Sequence, residues 1–118
     1  MVTVNILGTE YTITIKKYDE DKVFERCSAS GYCSYTDKEI VLCDMSTYPD
    51  WENESARAIE NQMKTTLRHE IVHAFLGESG LSVNSGETDA WARNEEMVDW
   101  IAIQGPKIWK AWQEAGAV

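Results

Sequence analysis

The chain has only two histidines, His69 and His73, and both lie in the stretch LRHEIVHAFLGESG at residues 67–80. They stand four residues apart, and Glu70 directly follows the first. On an α-helix a four-residue step turns the side chain through roughly 400°, so both imidazoles project from one face, one turn apart. That separation lets two neutral imidazoles reach one tetrahedral ion at roughly 2.0–2.1 Å each. Glu70 lies to the side of such an ion and can reach a water on it without displacing it. Zinc would lower the pKa of that water, and the carboxylate would accept its proton and pass it to a leaving amine. Random placement in a chain of this composition gives the pattern roughly once in 500 times, which favours a built site over two incidental helix histidines.

Two histidines do not complete a zinc site, and there is no third histidine, so a carboxylate from another element must close it. The downstream candidates are Glu78, Glu87, Asp89, Glu95, Glu96, Asp99 and Glu114. Glu78 ends the motif segment and would have to fold back. Glu87 and Asp89 sit near a helix start, where acids serve as caps and dipole partners. Glu95 and Glu96 interrupt an apolar helical run, and Glu95 shares a face with Trp91, Val98, Asp99 and Ala102 at helical spacing. A buried acid in that company needs a partner, and a metal is one. Asp99, one turn on, can take a hydrogen bond from the far ring nitrogen of a ligating histidine and fix its tautomer. Glu96 remains the alternative ligand.

These residues need elements to hold them. Val2, Val4 and Ile6 alternate with polar residues, as do Tyr11, Ile13 and Ile15, and LGTE between them carries a turn glycine. YDEDKVFERC reads as a short helix, and GYCSYTDKEIVLCD as a second hairpin turning at Asp37 and Lys38. Three or four antiparallel strands result. From PDWENES onward the pattern is helical. Asn53 or Ser55 caps a helix bearing Ile59, Met63, Leu67, Ile71, Ala74 and Phe75, and Gly77 or Gly80 stops it. A turn-rich SVNSGET leads to the run TDAWARNEEMVDWIAIQ, a second helix. Gly105 and Pro106 break it before a closing helix, PKIWKAWQEAG, that turns Ile108, Trp109 and Trp112 inward. The expected fold is a single α+β domain over residues 1–118, a small antiparallel sheet packed on a C-terminal helical part. Trp91, Trp100, Trp109 and Trp112 read as core, and Trp51 as an open contact residue.

HEIVH followed after 20 residues by NEEMVDWIA resembles the gluzincin pattern of HExxH and then ExxxD on a second helix. Thermolysin-like peptidases are the familiar members. The short chain and the strands before the motif helix look most like compact minigluzincins, including ImmA/IrrE-like and phage-encoded metallopeptidase domains. The resemblance covers roughly residues 30 to 104. It implies a zinc metallopeptidase in which His69, His73 and Glu95 bind Zn²⁺, Glu70 is the catalytic base, and Asp99 orients a histidine. It also implies a peptide or protein substrate, bound by extension of the strand around Ile40 to Cys43. The departure is the missing histidine that stabilises an oxyanion in thermolysin. Tyr35, Tyr48 or Arg93 are the replacements at hand.

Composition bounds the rest. With 118 residues, 43% of them hydrophobic, there is room for one core. A net charge of −9 disfavours a nucleic-acid partner. The alternating N-terminus resembles neither an export signal nor a membrane span, so the expected location is the cytoplasm, or a host cytoplasm for a phage protein. Cys27, Cys33 and Cys43 are odd in number and read as reduced thiols. The rival function, of another class, is a non-catalytic acidic interaction protein of a phage or mobile element that keeps a structural zinc site.

Overall fold

A computed structural model describes residues 2–84 and 94–118, apart from the side chains of Asn84, Glu95, Val98, Asp99 and Ala102. Strands β1 (Val2–Ile6) and β2 (Thr9–Lys16) form the expected hairpin, pairing Val4 with Tyr11. Its two-residue turn holds Leu7 at φ 51° and Gly8 at φ 94°, the left-handed conformations a tight hairpin demands. A short helix α1 (Val23–Arg26) precedes β3 (Gly31–Ser34) and β4 (Glu39–Cys43).

The four strands run in the order β1-β2-β4-β3. The fold is α+β as read from the sequence, with one departure: β2 and β4 pair in parallel, so the sheet is mixed. The β3–β4 hairpin inserts with β4 beside β2, and the chain crosses back through α1 to allow it. Register then sorts the side chains. Val4, Ile6, Tyr11, Ile40 and Leu42 face a main core, whereas Val41 and Cys43 face a second cluster with Phe24 and Met45. Trp51 is half-buried against that second cluster.

Helix α2 (Ala56–Glu78) carries the histidine motif. Ser55 caps it, accepting a hydrogen bond from the Ala58 backbone N–H at 3.0 Å. Leu67, Ile71, Ala74 and Phe75 lay one stripe of it on the sheet. The helix passes through Gly77 and ends one residue later, with Gly80 beyond it at φ 83°. A single turn, α3 (Leu81–Asn84), follows.

Helix α4 (Glu95–Glu114) corrects the expected break at Gly105 and Pro106, because it runs through both. A proline inside a helix forfeits one backbone bond and costs about 3 kcal/mol. The helix continues because Trp100 before the proline and Ile108, Ala111 and Trp112 after it pack on the same core. Trp109 turns outward, 52% exposed, against the inward reading. No helix among the described residues is long and apolar enough to cross a membrane.

The end of α2 is tied to the sheet by Glu78. Its carboxylate accepts from Lys38 Nζ and Tyr11 Oη, both at 2.7 Å, and from Thr9 Oγ1 at 3.1 Å. The Lys38 bond, then the Tyr11 bond, holds the Glu78 carboxyl below the usual carboxylate range. A folded-state value below the unfolded one contributes stability above the unfolded value and loses it as pH falls through the folded one. Glu78→Ala should therefore lower unfolding free energy by about 2–4 kcal/mol near neutral pH, where charge-assisted bonds are broken. Denaturant curves for variant and parent should converge in acid.

Candidate metal centre

The middle of α2 brings the motif together. The ligating atoms of His69, Glu70 and His73 all lie within 4.8 Å of one another. The two imidazoles meet edge to face through their Nε2 atoms, 3.1 Å apart. Two nitrogens bound at ~2.0–2.1 Å to one tetrahedral ion stand ~3.3 Å apart, so this pair needs almost no rearrangement to share a metal. Both rings are solvent-exposed. Although exposed overall, His73 is partly desolvated; that desolvation, then the neighbouring His69, pulls its pKa below the ordinary value and favours the neutral form a ligand requires.

Glu70 is the opposite case. It is 5% exposed, one of only two buried polar or charged residues among those described. No described residue donates a hydrogen bond to its carboxylate. Burial raises its pKa, opposed by the charge of His69. A carboxylate on a largely buried side chain, with no described donor, is costlier to ionise than a fully solvated one. Cys33, on β3, feels the charges of Glu70 and Glu78, and burial chiefly pushes its thiol up to about 12. A thiol held protonated is a poor nucleophile.

The remaining candidates separate cleanly. Glu78 is committed to Lys38, Tyr11 and Thr9 and is not available to a metal. Glu96 and Glu114 are solvent-exposed. Glu95 opens α4, where Asn94 caps the helix by accepting from the Met97 backbone N–H at 2.9 Å. The side chains of Glu95 and Asp99, and the whole of Glu87, Asp89, Trp91 and Arg93, lie outside the described residues. Tyr48 belongs to the second cluster, edge-on to Tyr18 at 5.0 Å between ring centres.

The expectation that Ile40 to Cys43 forms an edge strand is overturned, since β4 lies between β2 and β3. All four of these residues are buried, two toward each core. Such an unbroken apolar run is the signature of a strand covered on both faces, and the signal was present in the sequence. Among the described residues, β3 is a sheet edge lying beside α2. A Cβ on Gly31 would stand 2.7 Å from the Thr66 side chain, and one on Gly77 would stand 2.5 Å from the Tyr35 ring. The β3 strand and the residue after it thus accompany α2 from Thr66 to Gly77, past His69, Glu70 and His73. Sequence reasoning missed this role of β3 because a four-residue strand carries little periodicity.

A separate apolar groove of about 600 Å³ lies between Ile13, Ile15 and Leu42 and the first half of α2. It includes no residue of the motif. Compared with family profiles, curated proteins and solved structures, the chain returns no match.

Proposed function

We propose that this protein is a zinc-dependent peptidase of the gluzincin type, with His69 and His73 as two ligands and Glu95 as the third. The observation that carries the reading is Glu70, 5% exposed and accepting no hydrogen bond from a described residue, beside two imidazole nitrogens 3.1 Å apart. A zinc ion so held supplies Lewis acidity, polarising a carbonyl and making water acidic enough to attack near neutral pH. Glu70 takes a proton from the attacking water as the new C–O bond forms. It returns that proton to the amine nitrogen as the C–N bond breaks. Asp99, under this reading, would accept from the far nitrogen of one histidine and hold the ring in its ligating tautomer. An extended peptide reaches this centre by adding to the free edge of β3.

The test is metal content. Purified protein should carry close to one equivalent of zinc by elemental analysis, and His69→Ala should lose it. Protein without stoichiometric zinc, or zinc unaffected by His69→Ala, sinks the reading.

A further inference from the structure

In the first half of α2, Ala56, Ile59, Met63 and Leu67 recur at steps of three and four residues, the spacing of one helical face. Burial fades along that face toward the N-terminus: Leu67 is buried, Ile59 and Met63 are half-buried, and Ala56 is exposed. The facing side of β2 shows the same gradient. Tyr11 is fully buried, Ile13 half-buried and Ile15 58% exposed. Helix and sheet therefore diverge, and the wedge between them is the groove of about 600 Å³.

Its dimensions and charges say what fits. The eleven steps from Ala56 to Leu67 span ~17 Å at ~1.5 Å per residue. A groove of that volume and length averages roughly 35 Å² in section, against ~80–110 Å² for a helix ~10–12 Å across. It takes the side chains of a helix face laid over it, not the helix itself. The charged lining residues are Asp44, Glu60 and Lys64. Glu60 pairs with Lys64 at 3.2 Å. Asp44 Oδ1 accepts from the Ser46 backbone N–H at 3.0 Å and from Ser46 Oγ at 2.7 Å, and its second oxygen has no described hydrogen-bond partner. One rim carboxylate is thus left without a countercharge, on a chain of net charge −9. A positive occupant complements this rim, whereas a second copy would bring another nine negative charges.

We propose that the groove docks a basic amphipathic helix of a partner protein. Its apolar side chains at i, i+3, i+4 and i+7 enter between α2 and β2, and a lysine or arginine beside them meets Asp44. The surface is distinct from the histidine centre. At ~100° per residue, His69 and His73 point roughly 90–130° around α2 from the mean direction of the stripe. The proposal does not depend on the peptidase reading.

Two synthetic helical peptides test it by calorimetry on the full chain. Both place leucines at the four apolar positions; one carries lysines elsewhere and the other glutamates. The lysine peptide should bind and the glutamate peptide should not. Ile15→Ser should weaken the lysine peptide about tenfold, as expected for an aliphatic side chain that is covered only on binding. Its melting temperature should stay close to the parent's. Asp44→Asn keeps the oxygen that Ser46 uses and should weaken binding about threefold, a difference that fades at high salt. Parent affinity in Ile15→Ser overturns the proposal, since the peptide then holds to acidic surface elsewhere. Parent affinity in Asp44→Asn, equal binding of the glutamate peptide, or binding of neither peptide also overturns it. A parent that dimerises where Ile15→Ser does not would overturn it in favour of a second copy.

Discussion

Glu70→Gln is expected to keep the fold and the metal while hydrolysis falls by about 10²- to 10⁴-fold, the usual contribution of a positioned proton carrier. The amide has nearly the shape of the carboxylate and leaves both histidines untouched, but it can neither accept nor return a proton. Stability should move the other way. Burial raises the Glu70 pKa in the folded chain, so the folded state takes up this proton more readily than the unfolded one. Stability from this group is complete below the unfolded carboxylate value and is lost as pH rises through the raised one. Glutamine removes that loss. Denaturant unfolding of the metal-free variant should show at least the parent's stability at pH 7, with a flatter dependence between mildly acidic and neutral pH.

The same variant separates the two functions that a metal site of this kind can serve. In a peptidase, Glu70→Gln retains zinc and loses all biological effect. In an acidic interaction protein stapled by zinc, the variant retains both, because binding a partner through a surface of net charge −9 needs no proton carrier. Full biological activity in Glu70→Gln would end the peptidase reading. Inactivity on a generic protein substrate would not bear on it, since a protease that acts on one regulator is silent there.

How far the chain announces its structure differs from element to element. The first hairpin was legible because alternation and a glycine turn are local signals that Val4, Ile6 and Tyr11 satisfy within one hairpin. The motif helix was legible from its cap and stripe, and its histidines from spacing alone. Parallel pairing of β2 with β4 was not, because it depends on where a distant hairpin inserts rather than on any local pattern. The continuous helix through Pro106 was hidden for a related reason. A local breaker was outweighed by packing of Trp100 and Ile108 on one core, which no window of sequence contains. The packing of Tyr35 on Gly77 was not legible. That contact exists because a glycine and an aromatic ring 42 residues apart meet across β3 and α2.

Metal and fold should also be linked thermodynamically, and the size of the link can be stated. An ion that binds the folded chain alone stabilises it by about 2.7 kcal/mol when present at a hundred times its dissociation constant. For a domain of this length that corresponds to a rise of roughly 10 °C in melting temperature. Zinc added to metal-free protein should give such a rise, a chelator should reverse it, and His73→Ala should abolish most of it. The pH dependence identifies the ligands. Burial and His69 hold the His73 pKa below its ordinary value, so the unfolded chain binds this proton more readily than the folded one. Stability of the metal-free protein is then greatest above the ordinary histidine range and falls as pH drops through it. Zinc competes with the same protons, so its stabilisation should fade on acidification, beginning lower than for a free imidazole because His73 stays neutral longer in the fold. A rise in melting temperature that survives His73→Ala and persists unchanged into acid would place the ion elsewhere, among the surface carboxylates of this acidic chain.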